Sequence, residues 1–304
     1  MIHKLVIIGS GPAGLTAGIY AGRAGLEPLI IEGPLPGGQL MLTTKVENWP
    51  SYESVDGIHL MKSMRSQAEK CGSKFMSGSV KSVDFSGRPL KIMVGNQMIE
   101  ALSIIIATGS SNKRLGVPGE DQYFGRGISV CATCDAPFFR NKNVVVIGGG
   151  NTAMTEAEHL LNFVKSLTII QNTATMTAND PIKYKVIGHE KVTCIFNSTV
   201  TGFEGDGQSV NSLTIKNLLT GQEDKKMIEG AFVSIGMNPN STPFKGHIEL
   251  DNWGYIVAKP RYATNVPGVF YAGDVSDFRY RQAVTAAGEG CAAALEVQWY
   301  LATL

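Results

Sequence analysis

Two stretches of the sequence share one design: Leu5-Val-Ile-Ile-Gly-Ser-Gly-Pro-Ala-Gly14 and Asn143-Val-Val-Val-Ile-Gly-Gly-Gly-Asn-Thr-Ala153. Each begins with an apolar run, passes through a glycine turn and continues into small residues that favour a helix. A second apolar run follows each of them, at 29–31 and at 167–170. This order is typical of the βαβ units that bind dinucleotides. We therefore predict an α/β fold with two Rossmann-like dinucleotide-binding domains.

The segments around the second motif predict that one domain is inserted into the other. A Pro-Gly pair at Pro118-Gly119 suits a crossover between domains. From about residue 245 the chain changes style, reaches an apolar strand that ends in Gly273-Asp274, and closes with a helix predicted at 280–300. We expect a first domain of 1–113 and 245–304 and an inserted domain of 114–244. A length of 304 residues suits two domains.

Charge and cysteine usage exclude several classes of protein. The chain has 27 basic and 26 acidic residues, whereas nucleic-acid and anionic-membrane binders need a basic surplus. No apolar stretch is long enough to span a bilayer, and no signal peptide is recognised. The 5 cysteines do not form the even, dense pattern of a secreted disulfide scaffold. We expect a cytoplasmic protein that binds neither nucleic acid nor membrane.

The first glycine motif predicts a nucleotide site. Gly9, Gly11 and Gly14 follow a strand and open a helix, and Glu32 ends the next strand. Glycine at these places permits a tight turn, close approach of pyrophosphate, and packing of helix on sheet. The helix N-terminus offers free N–H groups to the phosphates. A carboxylate at the position of Glu32 can accept hydrogen bonds from both ribose hydroxyls of an adenosine.

The pair Cys131-Ala-Thr-Cys134, with Asp135 next to it, predicts thiol chemistry. A close cysteine pair can be a redox disulfide, half of a zinc site or an inert buried pair. Zinc would need two more sulfur or imidazole ligands, and His159 and His189 show no ligand spacing. We expect no metal. An acid beside Cys134 suits proton transfer to or from a thiolate.

A third group of polar residues lies near the C-terminus. Asp274 ends a predicted strand, and the segment Arg281-Gln282-Ala283 begins the last predicted helix. An aspartate aimed at a helix N-terminus can bind the ribityl or phosphate region of a cofactor. By itself such a residue could be an ordinary strand end. The two βαβ units favour the interpretation that Asp274 binds a cofactor.

Three further motifs accompany these: Gly37-Gly-Gln39-Leu40, Val46-Glu-Asn48-Trp-Pro50 and Ala107-Thr-Gly109. In these motifs and in their order along the chain, the sequence resembles the bacterial low-molecular-weight thioredoxin reductases over essentially its whole length. The resemblance implies FAD in the split domain, a nicotinamide-type domain between its halves, a homodimer and a thioredoxin-like disulfide as partner. It also implies a domain rotation that presents the cysteines alternately to flavin and to thioredoxin.

Site roles follow from the resemblance residue by residue. Cys134 is expected nearest the flavin, Cys131 is expected to attack the partner disulfide, and Asp135 is expected to act as acid and base. The residues expected to bind FAD are Gly9, Gly11, Pro12, Ala13, Gly14, Glu32, Gly38, Gln39, Leu40, Asn48, Ala107, Thr108, Gly109, Gly273, Asp274, Arg281, Gln282 and Ala283.

One stretch departs from the family pattern. After the second glycine motif the family carries His-Arg-Arg followed by another Arg, and these cations hold the 2′-phosphate of NADPH. Here the chain reads Ile170-Gln171-Asn172-Thr173-Ala-Thr-Met-Thr177. This stretch has no basic residue, and no acidic residue follows the strand. A charge-assisted hydrogen bond contributes about 1.5–3 kcal/mol, so losing two or three could cost on the order of 10³ in affinity.

We therefore predict that NADPH is weak or unused and that the donor is ferredoxin-like or a second flavin. Alternatives remain open at this point. A loop arginine elsewhere, or Lys183 or Lys185, could replace the missing cations and leave an ordinary NADPH-dependent thioredoxin reductase. A dithiol oxidase running in the reverse direction would carry the same cysteines. A flavin-binding protein without activity is disfavoured by the intact cysteine pair.

Overall fold

The computed structural model describes residues 2–43, 45–178 and 181–304, and the chain divides into two compact units. One unit consists of the chain up to Ser111 together with Asn238–Leu304. The other, the inserted unit, is Asn112–Met237. The boundaries expected from the sequence, after 113 and after 244, differ from these by a few residues. Which nucleotide each unit binds stays a prediction.

The first segment of the split unit is rich in strands. Its helices are α1 (Pro12–Arg23) and α2 (Gly57–Lys70), with a 3-10 helix at Gly38–Leu42. Its strands are β1 (Ile2–Ile8), β2 (Leu29–Ile31), β3 (Lys74–Met76), β4 (Val80–Asp84), β5 (Leu90–Val94) and β6 (Gln97–Ile106), and the chain leaves the unit through β7 (Ser110–Asn112).

The inserted unit contains the second glycine motif and the cysteine pair. Its helices are α3 (Glu120–Tyr123), α4 (Ala132–Asp135), α5 (Asn151–Leu161) and α6 (Ile182–Ile187), with a 3-10 helix at Ala136–Phe139. Its strands are β8 (Ile128–Ser129), β9 (Asn143–Ile147), β10 (Ser166–Ile170), β11 (Val192–Ile195), β12 (Ser198–Gly205), β13 (Val210–Asn217), β14 (Glu223–Met227) and β15 (Gly230–Val233).

The chain returns to the split unit through β16 (Met237–Pro239), which pairs with β7. Short 3-10 helices follow at Thr242–Phe244 and Pro260–Tyr262, then β17 (Val269–Tyr271) and α7 (Ala283–Leu301). The last helix begins at Ala283 and not at residue 280 as the sequence predicted. Arg281 has a left-handed φ of 50°, which an α-helix cannot contain.

The sheet of the split unit has the order β3-β2-β1-β6-β5-β4, and β17 also pairs with β6. Strands β1, β2, β3, β6 and β17 are parallel, whereas β4 and β5 form an antiparallel extension. Since carboxyl ends of parallel strands meet at one edge, the segments after Ile8, Ile106 and Tyr271 lie together. That edge is where open α/β sheets bind ligands.

The inserted unit repeats this design on a smaller scale. Its parallel sheet has the order β11-β10-β9-β15-β8, and β12, β13 and β14 form a separate antiparallel sheet. Alternate residues of β9 point to opposite faces, so Val144 and Val146 pack with α5 while Val145 and Ile147 pack with β12 and β13. Burial on both faces explains the uninterrupted apolar run of β9. These observations confirm the α/β fold with two Rossmann-like domains.

Candidate functional site

The glycine turn between β1 and α1 packs tightly at two of its glycines and leaves the backbone of the third accessible. Gly9 has a φ of 116°, and a Cβ there would lie 2.1 Å from the Ala107 carbonyl oxygen. A Cβ on Gly14 would lie 2.0 Å from the Gly9 carbonyl oxygen, so α1 packs tightly on the turn. At Gly11, by contrast, a Cβ would meet nothing within 4 Å. Open space therefore lies over Gly11, at the start of α1.

The N-terminus of α1 suits the pyrophosphate of FAD. Pro12 is the first helical residue, Ala13 follows it, and no side chain caps the helix. The unused backbone N–H groups of the first turn and the helix dipole attract an anion. Gly38 borders the same space, since a Cβ there would lie 3.3 Å from the Gly11 Cα. The residues present fit the phosphates that the sequence predicts here.

Glu32 follows β2 directly and is buried, with 8% of its surface exposed. Its Oε1 accepts a hydrogen bond of 3.0 Å from Arg65 Nε, and its Oε2 accepts one of 3.4 Å from Ser77 Oγ. An ionised carboxylate has about four lone-pair positions, so both oxygens retain capacity for ribose hydroxyls. Arg65 and Ser77 fix the carboxylate, and neither was identified from the sequence.

A second set of expected FAD residues surrounds the end of β6. Thr108 and Asn240 exchange two hydrogen bonds, from Thr108 Oγ1 to the Asn240 carbonyl (2.8 Å) and from Asn240 Nδ2 to the Thr108 carbonyl (2.9 Å). The carbonyl of Gly109 accepts from the Asn240 N–H at 2.9 Å. Gln39 Nε2 reaches the Ser110 carbonyl at 3.4 Å. Asn240 thus holds this loop, and sequence reasoning missed it.

The segment after β17 carries several acidic groups close together. Burial raises the pKa of Asp274 to about 7, the Asp277 carboxylate adds to that rise, and Arg281 opposes it. Glu289 Oε2 accepts a hydrogen bond of 2.6 Å from the Gly273 N–H. A carboxyl with a pKa raised in this way is suited to bind hydroxyl groups, because its protonated form donates as well as accepts.

Asp277 shapes the turn that leads into α7. It accepts hydrogen bonds from the N–H groups of Arg279, Tyr280 and Arg281, each at 2.8 Å. Gln282 follows as the N-cap position, and its Oε1 accepts from Asn48 Nδ2 at 3.3 Å. The structure therefore brings Asn48 to the start of α7, next to Gln282 and Ala283. Leu40, in contrast, packs its side chain against the core around α1 and α2.

The cysteine pair forms a disulfide at the start of α4. Cys131 and Cys134 are bonded through their sulfurs, with their Cα atoms 5.4 Å apart. Cys131 is the N-cap of α4, and its Sγ accepts from the Cys134 N–H at 3.2 Å. Both residues are half-buried. Among the described residues, no group of three or more His, Cys, Asp or Glu side chains could hold a metal ion.

Asp135 is held by Ser129, the last residue of β8. Ser129 Oγ donates to Asp135 Oδ2 at 2.6 Å and accepts from the Cys131 N–H at 3.1 Å. Burial raises the pKa of Asp135, and the Ser129 hydrogen bond opposes that rise. Ser129 therefore joins the acid to the backbone of the disulfide.

A further carboxylate lies at the disulfide helix. Glu156, on α5, accepts a hydrogen bond from the N–H of Ala132, the first residue of α4. This N–H sits between the two cysteines in the sequence. Neither Ser129 nor Glu156 was identified from the sequence, because their contacts depend on how β8 and α5 pack.

The inserted unit has its own cleft, of about 450 Å³, at the second glycine turn. The lining residues in the described part of the chain are all uncharged: Leu115, Ile147, Gly148, Gly149, Gly150, Asn151, Thr152, Ile170, Gln171, Asn172, Thr177, Ser198, Thr199, Ser234, Ile235 and Gly236. Helix α5 begins at this cleft without a side-chain cap. Its N-terminus therefore has the same anion-attracting character as that of α1.

Gln171 follows β10 and closes one side of this cleft. Its side chain lies against Gly149, since a Cβ there would be 2.6 Å from the Gln171 Cδ. Gln171 Nε2 donates to Thr173 Oγ1 at 2.7 Å and to the Thr175 carbonyl at 3.4 Å. Residues 171–175 are thus held together by hydrogen bonds between neutral groups.

The two lysines considered as substitutes for the missing arginines have other partners. Lys183 Nζ donates to the Ala178 carbonyl at 2.8 Å. Lys185 Nζ pairs with Glu158 Oε1 at 2.7 Å. Neither residue lines the cleft.

Comparison with known proteins identifies the family. The model of the pyridine nucleotide-disulphide oxidoreductases matches residues 3–290. The chain belongs to this family. It is 43% identical to a thioredoxin reductase of Mycolicibacterium smegmatis over 99% of this chain and 97% of that protein. It is 45% identical to one of Rickettsia bellii, with 98% of both chains covered.

Solved structures agree with this assignment. The crystal structure of thioredoxin reductase from Streptococcus pyogenes superimposes with a TM-score of 0.94 at 36% identity, and covers 100% of this chain and 99% of its own. Within the family, the chain falls in the low-molecular-weight thioredoxin reductase class, and it is an FAD-dependent disulfide oxidoreductase. No helix in the described part of the chain is long and apolar enough to cross a membrane.

Proposed function

We propose that this enzyme passes electrons from FAD through Cys131 and Cys134 to a thioredoxin-type protein disulfide, and that its donor is not NADPH. A ferredoxin-like protein or a second flavin would supply the electrons. We expect a homodimer, as the resemblance to the family implies. We expect the protein in the cytoplasm, since sparse cysteines are typical of a reducing compartment.

The uncharged residues in the described lining of the inserted unit's cleft support the proposal about the donor. The 2′-phosphate of NADPH bears close to two negative charges, which fixed cations normally neutralise. Gln171, Asn172 and Thr177 line the cleft in the segment that follows β10, where the family carries its basic residues. Their side chains can form hydrogen bonds but carry no charge. Neutral partners leave most of the cost of desolvating a phosphate uncompensated.

Bound FAD would supply two-electron reduction of the disulfide. In the reduced protein, the Cys131 thiolate attacks one sulfur of the partner disulfide, and a mixed disulfide forms as the partner's other sulfur leaves. Cys134 then attacks Cys131 Sγ, which restores the 131–134 bond and releases the second partner thiol. Asp135 takes the proton from the attacking thiol and returns one to the leaving thiolate, and Ser129 positions its carboxyl.

A panel of donors tests this function. The anaerobic enzyme is mixed with thioredoxin and with NADPH, NADH or reduced ferredoxin, and thioredoxin thiols are measured over time. We expect the low-potential donor to support thioredoxin reduction far better than either nucleotide. If NADPH alone supports rapid reduction, the enzyme is an ordinary thioredoxin reductase. If photoreduced enzyme does not reduce thioredoxin but oxidised enzyme accepts electrons from a dithiol, it is a dithiol oxidase.

A further inference from the structure

We propose that the cleft of the inserted unit selects adenine nucleotides with a free 2′-hydroxyl on the ribose, and that Gln171 recognises this hydroxyl. The proposal rests on the proposed function and deepens it, because it names the class of nucleotide that the cleft accepts. NADH, FAD and ADP belong to this class, whereas NADPH does not.

The hydrogen bonds of Gln171 fix the orientation of its carboxamide. The Thr175 carbonyl can only accept a hydrogen bond, so the atom 3.4 Å from it is Nε2. Thr173 Oγ1 donates its own proton to the same carbonyl at 2.7 Å, so its oxygen accepts from Nε2. Nε2 therefore already donates two hydrogen bonds. No hydrogen bond from a described residue reaches Oε1, so this oxygen can accept one from a ligand.

Gln171 occupies the place where a ribose hydroxyl is recognised in dinucleotide folds. It comes directly after β10, the second strand of the βαβ unit, and it is buried, with 4% of its surface exposed. An acid at this place accepts a hydrogen bond from the 2′-hydroxyl. The Oε1 of a fixed carboxamide can accept the same bond without a charge.

A 2′-phosphate would meet the wrong chemistry at this position. Its oxygens are acceptors, and they would face the acceptor Oε1 among described lining residues that carry no charge. Lys183, on α6, already donates to the Ala178 carbonyl. Lys113 Nζ lies beside Gly236, 3.8 Å from the position of a Cβ there, and Lys113 is not among the lining residues. Discrimination at Gln171 thus comes from an acceptor set against an acceptor.

Calorimetric titration of the FAD-loaded protein tests the proposal without any electron transfer. The probes are adenosine 5′-monophosphate and adenosine 2′,5′-bisphosphate, which differ only in the 2′-phosphate, and flavin absorbance verifies that FAD stays bound. We expect the 5′-monophosphate to bind at least about tenfold more tightly, from one gained hydrogen bond and the absence of an uncompensated 2′-phosphate. Gln171→Leu, which removes the acceptor, should reduce this preference by about threefold to tenfold. Gln171→Glu, which keeps an acceptor and adds charge, should increase it.

Gln208→Glu is the matched control, since Gln208 lies on an exposed loop of the same unit. It should leave both affinities unchanged. Equal or tighter binding of the 2′,5′-bisphosphate overturns the proposal, and so does the absence of binding of the 5′-monophosphate at millimolar concentration. A protein that fails this test but accepts electrons from reduced ferredoxin refutes the nucleotide selectivity alone and leaves the proposed function standing.

Discussion

The hydroxyl of Ser129 donates a 2.6 Å hydrogen bond to Oδ2 of Asp135. The same oxygen accepts from the Cys131 N–H, so the acid is tied to the disulfide through one side chain. Burial and this hydrogen bond act in opposite directions on the pKa of Asp135. The bond favours the ionised carboxylate, and its loss must raise the pKa further.

Replacing Ser129 by Ala should therefore move the pH dependence of the thiol step upward. Photoreduced enzyme is mixed with excess thioredoxin over a series of pH values, and the rate of thioredoxin reduction is recorded. The limb of the profile that belongs to Asp135 should shift to higher pH. Asp135→Asn should remove that limb. A profile for Ser129→Ala that coincides with wild type would contradict the positioning role.

Replacing Gly11 by Val should abolish tight FAD binding. The space over Gly11 is open, and a side chain there would occupy the place of the pyrophosphate. Losing the backbone phosphate contacts should weaken FAD by at least about a hundredfold. The flavin content of purified protein measures this. Gly288→Val is the control, since Gly288 is exposed on α7 with nothing within 4 Å of its Cβ position. A yellow, stoichiometric Gly11→Val protein would refute the site.

The two cysteines should differ in their interaction with the flavin. Cys131→Ser should leave Cys134 as a thiolate that gives a long-wavelength charge-transfer band with oxidised FAD. Cys134→Ser should give no such band. Absorbance spectra of the two variants make the comparison, and a band in Cys134→Ser instead would reverse the two roles.

Arginines at Asn172, Thr173 and Thr177 together should raise the use of NADPH more than that of NADH. Asn172 and Thr177 line the cleft, and added cations there would neutralise the 2′-phosphate, which NADH lacks. The ratio of kcat/KM for NADPH to that for NADH should rise by on the order of tenfold or more. Arginines at the exposed Gln208, Thr220 and Gln222 provide a control of equal charge. An equal gain with this control would point to general electrostatic attraction.

Local patterns were enough to predict the glycine turns and the disulfide. Those features depend on residues close together in sequence. The partners of the site residues could not be predicted in this way. Glu156 contacts Ala132 through the packing of α5 on α4, and Asn240 reaches Thr108 across 132 positions of the chain.

The same limit explains the error at the last helix. The sequence analysis placed the start at residue 280, but Asp277 accepts hydrogen bonds from three successive backbone N–H groups there. That turn places Arg281 in a left-handed conformation and delays the helix to Ala283. Side-chain hydrogen bonds to the backbone compete with helix formation, and periodicity does not reveal them.

The most direct test of the donor assignment is anaerobic stopped-flow measurement of flavin bleaching with micromolar NADPH. Because the described lining of the inserted unit's cleft is uncharged, NADPH should reduce the flavin slowly, saturate only at high concentration and show no advantage over NADH. Rapid, saturable bleaching by micromolar NADPH, at rates ordinary for such reductases, would contradict the account and make this an ordinary NADPH-dependent enzyme.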